Sequence, residues 1–363
     1  MKNKVFLLTI LLFLVLVTCG TVAAANNTTE RISISTGGNQ SNGESCNPSI
    51  SADGRYVTFT SYASNLVPGD NNGVSDIFVR DLVLNITERV SISSTDEESN
   101  SNSKDPSISA DGRYVTFTSY ASNLVPGDNN GVYDIFVRDR VLGITTLISI
   151  NNLVGESNGD SSEPAISSNG RFIVFSSYAT NLVANDNNDK CDIFLYDNNT
   201  GKITRLTVSN MGNEANDHSK NPTINGNGNL IAFISDANNL VEGDTNNYSG
   251  LFIYNRNSSS LEKVDDSYLG GPYFSFYHPS ISADGSYLAF TIGSGSLFIY
   301  NILSKTIEEI KLSWNGEPNS MTIEPSLSAD GRYVAVSSAN HMISDTLDRW
   351  MDVYIYMTNF PKI

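Results

Sequence analysis

The 363-residue sequence is poor in the residues that usually announce catalysis, with three histidines, three cysteines and two tryptophans. His218, His278 and His341 are widely spaced, and none lies in metal-ligand spacing or in a nucleophile elbow. There is no glycine-rich phosphate loop. Catalysis is therefore weakly supported. Basic residues are few: 22 Lys and Arg stand against 39 Asp and Glu, for a net charge of −17. Such a surface repels nucleic acid and anionic headgroups and favours cations or basic partners. Helical periodicity is missing beyond the N-terminus. One long apolar run exists, Val5 to Val17, preceded by Lys2 and Lys4 and followed by Ala23-Ala24-Ala25. This is the pattern of a secretory signal peptide, residues 1–25, so a secreted, periplasmic or cell-surface location is expected. Thr18 before Cys19 fits a lipoprotein cleavage box poorly, which weighs against a lipid anchor there. No other stretch is long and apolar enough for a transmembrane segment. Cleavage would leave Cys46 and Cys191, whose equivalents elsewhere in the chain are not cysteine, so no disulfide framework is implied. Asn-x-Ser/Thr sequons occur at Asn27, Asn85, Asn198 and Asn257.

What the sequence does have is a repeat. Pro48-Ser49-Ile50-Ser51-Ala52-Asp53-Gly54-Arg55-Tyr56-Val57 returns almost unchanged from Pro106 to Val115. Looser copies begin at Pro164, Pro222, Pro279 and Pro325, at successive spacings of 58, 58, 58, 57 and 46 residues. A period of this length marks a repeat architecture. Each unit reads as four short strands: Pro48–Ser51, then an Asp-Gly turn, Arg55–Ser61, a long polar loop, Asp76–Asp81 and Glu88–Ser93. Four-stranded sheets repeated around an axis are the blades of a β-propeller. The last unit lacks a fourth strand, whereas Glu30–Ser35 before the first unit is nearly a copy of Glu88–Ser93. The expected fold is an all-β, six-bladed propeller of four antiparallel strands per blade. Residues 30–36 would complete the last blade and remove its open edge. The expected domain is residues 26–363, with blades near 46–94, 104–150, 162–209, 220–265, 277–312 and 323–357.

Pro-x-Ile-Ser-x-Asp-Gly-Arg-x-Val-x-Phe-x-Ser, followed by Asp-Ile-Phe-Val-x-Asp, resembles the TolB-like propeller repeats of the WD type. The resemblance runs over roughly residues 30 to 357 and implies the propeller fold. The N-terminal domain of TolB has no counterpart, and the usual Ser-Pro-Asp-Gly is Ser-Ala-Asp-Gly here.

Antiparallel order puts the loop between strands two and three on the same face as the blade-to-blade loop. Both are long, so one face is decorated and the other carries short turns. Three groups on the decorated face are candidates. The first is the loop Asp70-Asn71-Asn72-Gly73-Val74-Ser75-Asp76 and its copies. Asp70, Asn72 and Asp76, with Asp128, Asn130 and Asp134 and with Asp186, Asn188 and Asp192, offer the hard oxygens that Ca2+ takes. The competing reading is Asx turns, in which these side chains bond local backbone. The second is a collar of the residues preceding each repeat proline: Asn47, Asp105, Glu163, Asn221, His278 and Glu324. These should ring the mouth of the central channel. The third is an aromatic sector in the loops entering blades five and six and in the long loop within blade six: Tyr268, Tyr273, Phe274, Phe276, Tyr277, Trp314 and Trp350. Rigid rings of this kind give contact area at low entropic cost, although packing under the loops would use them equally. The resulting expectation is a non-catalytic binding propeller, with an envelope protein or a carbohydrate as partner and Ca2+ as candidate cofactor. The alternatives are a carbohydrate-active hydrolase or lyase using Glu163, Glu324 and His278 as acid–base groups, and a structural surface-layer component.

Overall fold

The computed structural model describes residues 31–357, apart from 152–154, 245–247, 266–275, 294, 311–312, 315–316, 319–321, 330, 332 and 339–351. The signal-peptide and Cys19 expectations, and those for Tyr268, Tyr273, Phe274 and Trp350, lie outside the described residues. So does the side chain of Trp314. Among the described residues there is no helix long and apolar enough to cross a membrane.

The chain builds antiparallel sheets in strict sequence order. Sheet one is Ser45–Ile50, Tyr56–Ser61, Asp76–Asp81 and Ile86–Arg89. The same pattern follows from Ser103–Ile108 to Ile144–Leu147, from Ser161–Ile166 to Lys202–Arg205, from Ser219–Ile224 to Ser260–Lys263, and from Phe276–Ile281 to Thr306–Ile310. A further sheet holds Thr322–Leu327, Tyr333–Ser338 and Asp352–Met357. The first strands of consecutive sheets are neighbours, and the first strand of the last sheet also neighbours that of sheet one. The fold is thus an all-β propeller.

Two expectations need correction. Among the described residues five sheets, not six, have four strands, and the last has three. Residues 31–36 form no strand of the last sheet; Ile34 makes a single bridge to Gln40. The reason is visible in the other blades. The fourth strand of sheet one ends at Arg89, and the chain then turns into a tight finger in which Ile92 bridges Glu98. Equivalent fingers pair Ile150–Asn151 with Gly155–Glu156, and Val208 with Glu214. The likeness of 30–35 to 88–93 therefore covers mostly finger, and of its described residues only Arg31 matches the fourth strand, at Arg89. Each finger latches onto the blade that follows it. Thr87 donates from Oγ1 to the Ile34 carbonyl at 2.6 Å, and Thr145 does the same to Ile92 at 2.6 Å.

The second and third strands do not alternate between core and solvent. Tyr56–Ser61 and Asp76–Asp81 are buried almost throughout, because each sheet is packed between two others. Thr58 satisfies its hydroxyl within the sheet by donating to the Phe78 carbonyl at 2.9 Å. A stacked phenylalanine pair joins strands two and three in all five four-stranded sheets: Phe59–Phe78, Phe117–Phe136, Phe175–Phe194, Phe233–Phe252 and Phe290–Phe298. Burial of each such side chain stabilises by about 1.5–3 kcal/mol. The short turns on the plain face also hold blades together. Gly112 has φ +71°, and a Cβ there would lie 2.2 Å from the ring of Tyr56 in the preceding blade. Only glycine serves both the turn and that contact.

Candidate functional site

Every first strand carries a bulge at the same place, as between Cys46 and Ser49, where pairing slips by one residue. The six collar residues occupy these bulges. Asn47, Asp105, Glu163, Asn221, His278 and Glu324 all have left-handed backbone, with φ between 48° and 57°. Such conformations cost about 1–3 kcal/mol each for residues with a side chain. Four of the six side chains meet in pairs across blades. Asn47 donates from Nδ2 to Glu324 Oε1 at 2.8 Å. Asn221 donates from Nδ2 to Glu163 Oε1 at 2.7 Å and from its backbone to Oε2 at 2.6 Å. Burial raises the Asp105 carboxyl above the usual range, and Lys104 and His278 oppose the rise. Two collar pairs are thus bonded across blades, and Glu163 and Glu324 are already engaged as acceptors.

The acidic loops are built differently from expectation. In blade one Asp70, Asp76 and Glu98 converge, with carboxylate oxygens within 4.8 Å of one another. Glu98 comes from the finger, and its position as a third carboxylate was missed because it lies 22 residues beyond Asp76 in the chain. A guanidinium fills the centre. Arg89 Nη1 lies 3.4 Å from Asp70 and 3.4 Å from Asp76, and it also contacts Glu98. In blade three Arg205 does the same, 2.8 Å from Asp186, 3.4 Å from Asp192 and 2.8 Å from Glu214. In blade four Gly250 stands where the other blades have the second aspartate, and Lys263 Nζ reaches both Asp244 oxygens at 3.0 Å. Asn72, Asn130 and Asn188 brace the loops, each donating from Nδ2 to the following aspartate at 2.8, 2.7 and 2.9 Å. Their Oδ1 atoms close Asx turns by accepting from the backbone of Val74, Val132 and Lys190. Burial, with the adjoining carboxylates, pushes Asp70, Asp128 and Asp186 up to about 6.

Of the aromatic sector, Phe276 belongs to the core, 3 % exposed and packed edge-on against Phe290, so its place in a binding patch is withdrawn. Its alternation with polar neighbours along the first strand of sheet five carries it inward. Tyr277 is 40 % exposed and lies beside His278, with ring centroids 6.4 Å apart. Sequence reasoning missed a second aromatic set. Tyr62, Tyr120 and Tyr178 follow the second strands of blades one to three, on the long-loop face, and are 57 %, 44 % and 55 % exposed. The backbone of Tyr62 donates to Glu44, just ahead of the first strand, which places it close to the mouth. Tyr120 packs against Tyr133, and Tyr178 against His218, each beside the head of a first strand. The signal was present as Ser-Tyr-Ala-Ser-Asn-Leu in blades one and two and Ser-Tyr-Ala-Thr-Asn-Leu in blade three, an aromatic at a fixed place in a loop. The opposite face has its own apolar outcrops, Val83 and Leu84 in blade one and Val141 and Leu142 in blade two. Cys46 and Cys191 are not bonded to each other, and burial raises both thiols to about 12.

No protein-family profile matches the chain, and no curated protein matches it in sequence. Solved structures do. TolB from Acinetobacter baumannii superposes with a TM-score of 0.50 at 19 % identity over 78 % of this chain. The match spans 57 % of that protein's own length. A putative TolB from Agrobacterium tumefaciens gives 0.51 at 17 % identity, over 88 % of this chain and 91 % of the other. An oligogalacturonate lyase in complex with manganese gives 0.50 at 13 % identity, over 80 % and 69 %. At these identities the likeness establishes a TolB-like propeller fold.

Proposed function

We propose that this chain is a secreted or cell-envelope binding propeller that captures a protein or carbohydrate partner on its long-loop face, without catalysis. The observation that carries the reading is the set of exposed tyrosines, Tyr62, Tyr120, Tyr178 and Tyr277, spaced around an acidic, polar mouth. A rigid ring presented to solvent gives large contact area with little entropy lost on binding, and such anchors dominate interface energetics. The N-terminal apolar leader supports the location. Tyr268, Tyr273, Phe274, Trp314 and Trp350 would extend the aromatic surface over blades five and six. The hydrolase or lyase reading is less well supported, because Glu163 and Glu324 are committed to Asn221 and Asn47.

The same reading includes closure of the ring. The three-stranded last sheet would be a sixth blade, completed by the chain up to Arg31 rather than by 30–36 as a whole. Its support is the adjacency of that sheet to both blade five and blade one, together with the Asn47–Glu324 bond.

The test is capture from an envelope extract and on a glycan panel by the immobilised chain. Replacing Tyr62, Tyr120 and Tyr178 by alanine should weaken capture more than tenfold, since losing one anchor commonly costs about 2 kcal/mol. Serine at Val83, Leu84, Val141 and Leu142 on the plain face should leave it unchanged. The reverse outcome would overturn the proposal.

A further inference from the structure

In three blades the end of the long loop is tied to the head of the next blade's first strand in the same way. The residue ahead of strand three donates its backbone N–H to the side chain of the residue ahead of that first strand. Ser75 donates to Asn102 Oδ1 at 3.0 Å, Tyr133 to Asp160 Oδ1 at 2.9 Å and Cys191 to His218 Nδ1 at 2.9 Å. A return bond completes each tie. Ser103, Ser161 and Ser219 donate from the backbone to the carbonyls of Ser75, Tyr133 and Cys191 at 2.8, 2.8 and 2.7 Å. The place demands an acceptor, and an amide, a carboxylate and an imidazole fill it in turn.

These acceptors differ in what a proton does to them. An amide oxygen stays an acceptor in mild acid, and a protonated carboxyl keeps an acceptor oxygen. A protonated imidazole has two N–H donors and no acceptor. The hydrogen between Cys191 and His218 belongs to the peptide, so Nδ1 is bare and the neutral ring carries its proton on Nε2. A proton added at Nδ1 would set two donors against each other and strip the buried Cys191 of its acceptor. An orphaned buried donor costs more than a typical hydrogen bond contributes. The charged groups around the ring are already engaged. Asp217 accepts from the His218 backbone at 3.0 Å and from Lys190 of the long loop at 3.2 Å. Asp236 donates its backbone N–H to the His218 carbonyl at 2.8 Å, and its carboxylate accepts from Ser249. Asp160 gives its carbonyl to the Tyr178 backbone and its carboxylate to Tyr133. Cys191 stays neutral, its thiol raised to about 12 by burial. Tyr178 lies against the ring itself, with centroids 5.6 Å apart.

We infer that His218 is a proton-sensitive latch on the long-loop face. Histidine is the side chain that changes charge between about pH 5 and 8. Neutral, His218 holds residues 186–191 of blade three to the head of blade four. Protonated, it releases the Cys191 N–H and leaves that loop on its return bond alone. The tie is complete at the basic end of the range and is lost as pH falls. Blade one, with Asn102 in the same place, stays latched throughout. Because Tyr178 rests on the same ring, the latch also sets the strength of capture in mild acid, and that consequence rests on the binding reading above.

The test is residue-resolved hydrogen–deuterium exchange of the full chain, without partner, at pH 7.5 and 5.5, corrected for the pH dependence of intrinsic exchange. Protection of the Cys191 amide should fall at least tenfold at pH 5.5 relative to that of the Ser75 amide, which serves as the reference within the same molecule. This comparison needs no variant, and equal protection at both pH values would overturn the inference. His218→Asn copies blade one and should hold Cys191 protection at its pH 7.5 level. It leaves Asp186 in place at the other end of the loop, bonded to Arg205, so a fall that persists in the variant would assign the change to Asp186 and also overturn the inference. Capture from envelope extract should weaken severalfold at pH 5.5 for the parent relative to His218→Asn. Equal capture by the two would overturn the regulatory consequence. Loss of capture by both at both pH values would overturn the binding reading, while the exchange result still decides the latch.

Discussion

Arg89→Leu is the most informative single perturbation, because it takes the cation out of the blade-one acids. Arg89 is 11 % exposed and holds three carboxylates, of which Asp76 is fully buried and Asp70 is 4 % exposed at the side chain. Removing one partner of a buried pair typically costs about 3–5 kcal/mol, since the remaining charge is left uncompensated. Unfolding entropy of about 2.1 cal/mol/K per residue over roughly 330 residues makes ~0.7 kcal/mol/K, so the expected fall in Tm is ~4–7 °C. That figure applies at pH 8 in chelator, well above the raised value of Asp70. Two conditions should recover most of it. At pH 5 protonation of Asp70, already raised to about 6 with Arg89 present, relieves the repulsion. Millimolar Ca2+ should do the same by binding only the folded state. Scanning fluorimetry across these conditions is sufficient. A change below about 1 °C at pH 8, or a fall that neither acid nor Ca2+ reverses, would refute the view that Arg89 acts as a resident cation.

Other consequences can be checked on the same protein. Gly112→Ala should lower Tm by several degrees, because a Cβ would meet the Tyr56 ring at 2.2 Å in left-handed backbone, and Tyr56→Ala should recover part of the loss. Deleting residues 26–37 should lower Tm sharply, since it removes the finger that accepts from Thr87 along with the chain proposed to close the last sheet; an unchanged Tm would refute the closure. The pH profile in chelator should fall on both sides. Asp81 is held at about 2, chiefly by its bonds from Arg55, so the stability it contributes is complete above its unfolded value near ~4 and is lost as pH drops through 2. Asp70, Asp128 and Asp186, raised to about 6 mainly by burial, keep protons that the unfolded chain releases, so stability declines as pH climbs from ~4 through 6. A Tm that increases steadily from pH 4.5 to 7.5 would contradict this.

The period and order of the repeat carried the propeller, because a 58-residue unit with four strand signals has few other solutions. The collar was equally legible, since a residue before each repeat proline must share one structural place, although its left-handed backbone was not. What stayed hidden depended on long-range contacts. The finger was read as a strand because Glu88–Ser93 is β-branched and polar in turn, while the departure from the sheet at Val90 is decided by Thr145 and the neighbouring blade. Glu98 and Arg89 join the acidic loops only through folding, so the loops looked like open metal sites when two of them enclose an arginine. The tyrosines were passed over because exposure, not composition, distinguishes them from Phe276.

The binding face is tested most directly by hydrogen–deuterium exchange of the full chain before and after it is loaded with material captured from its envelope extract. Partner capture on the long-loop face predicts slowed exchange in the loops following Tyr62, Tyr120 and Tyr178 and at the heads of the first strands, with the Asp-Gly turns of the opposite face unaffected. Protection confined to the plain face around Val83–Leu84 and Val141–Leu142 would contradict the account.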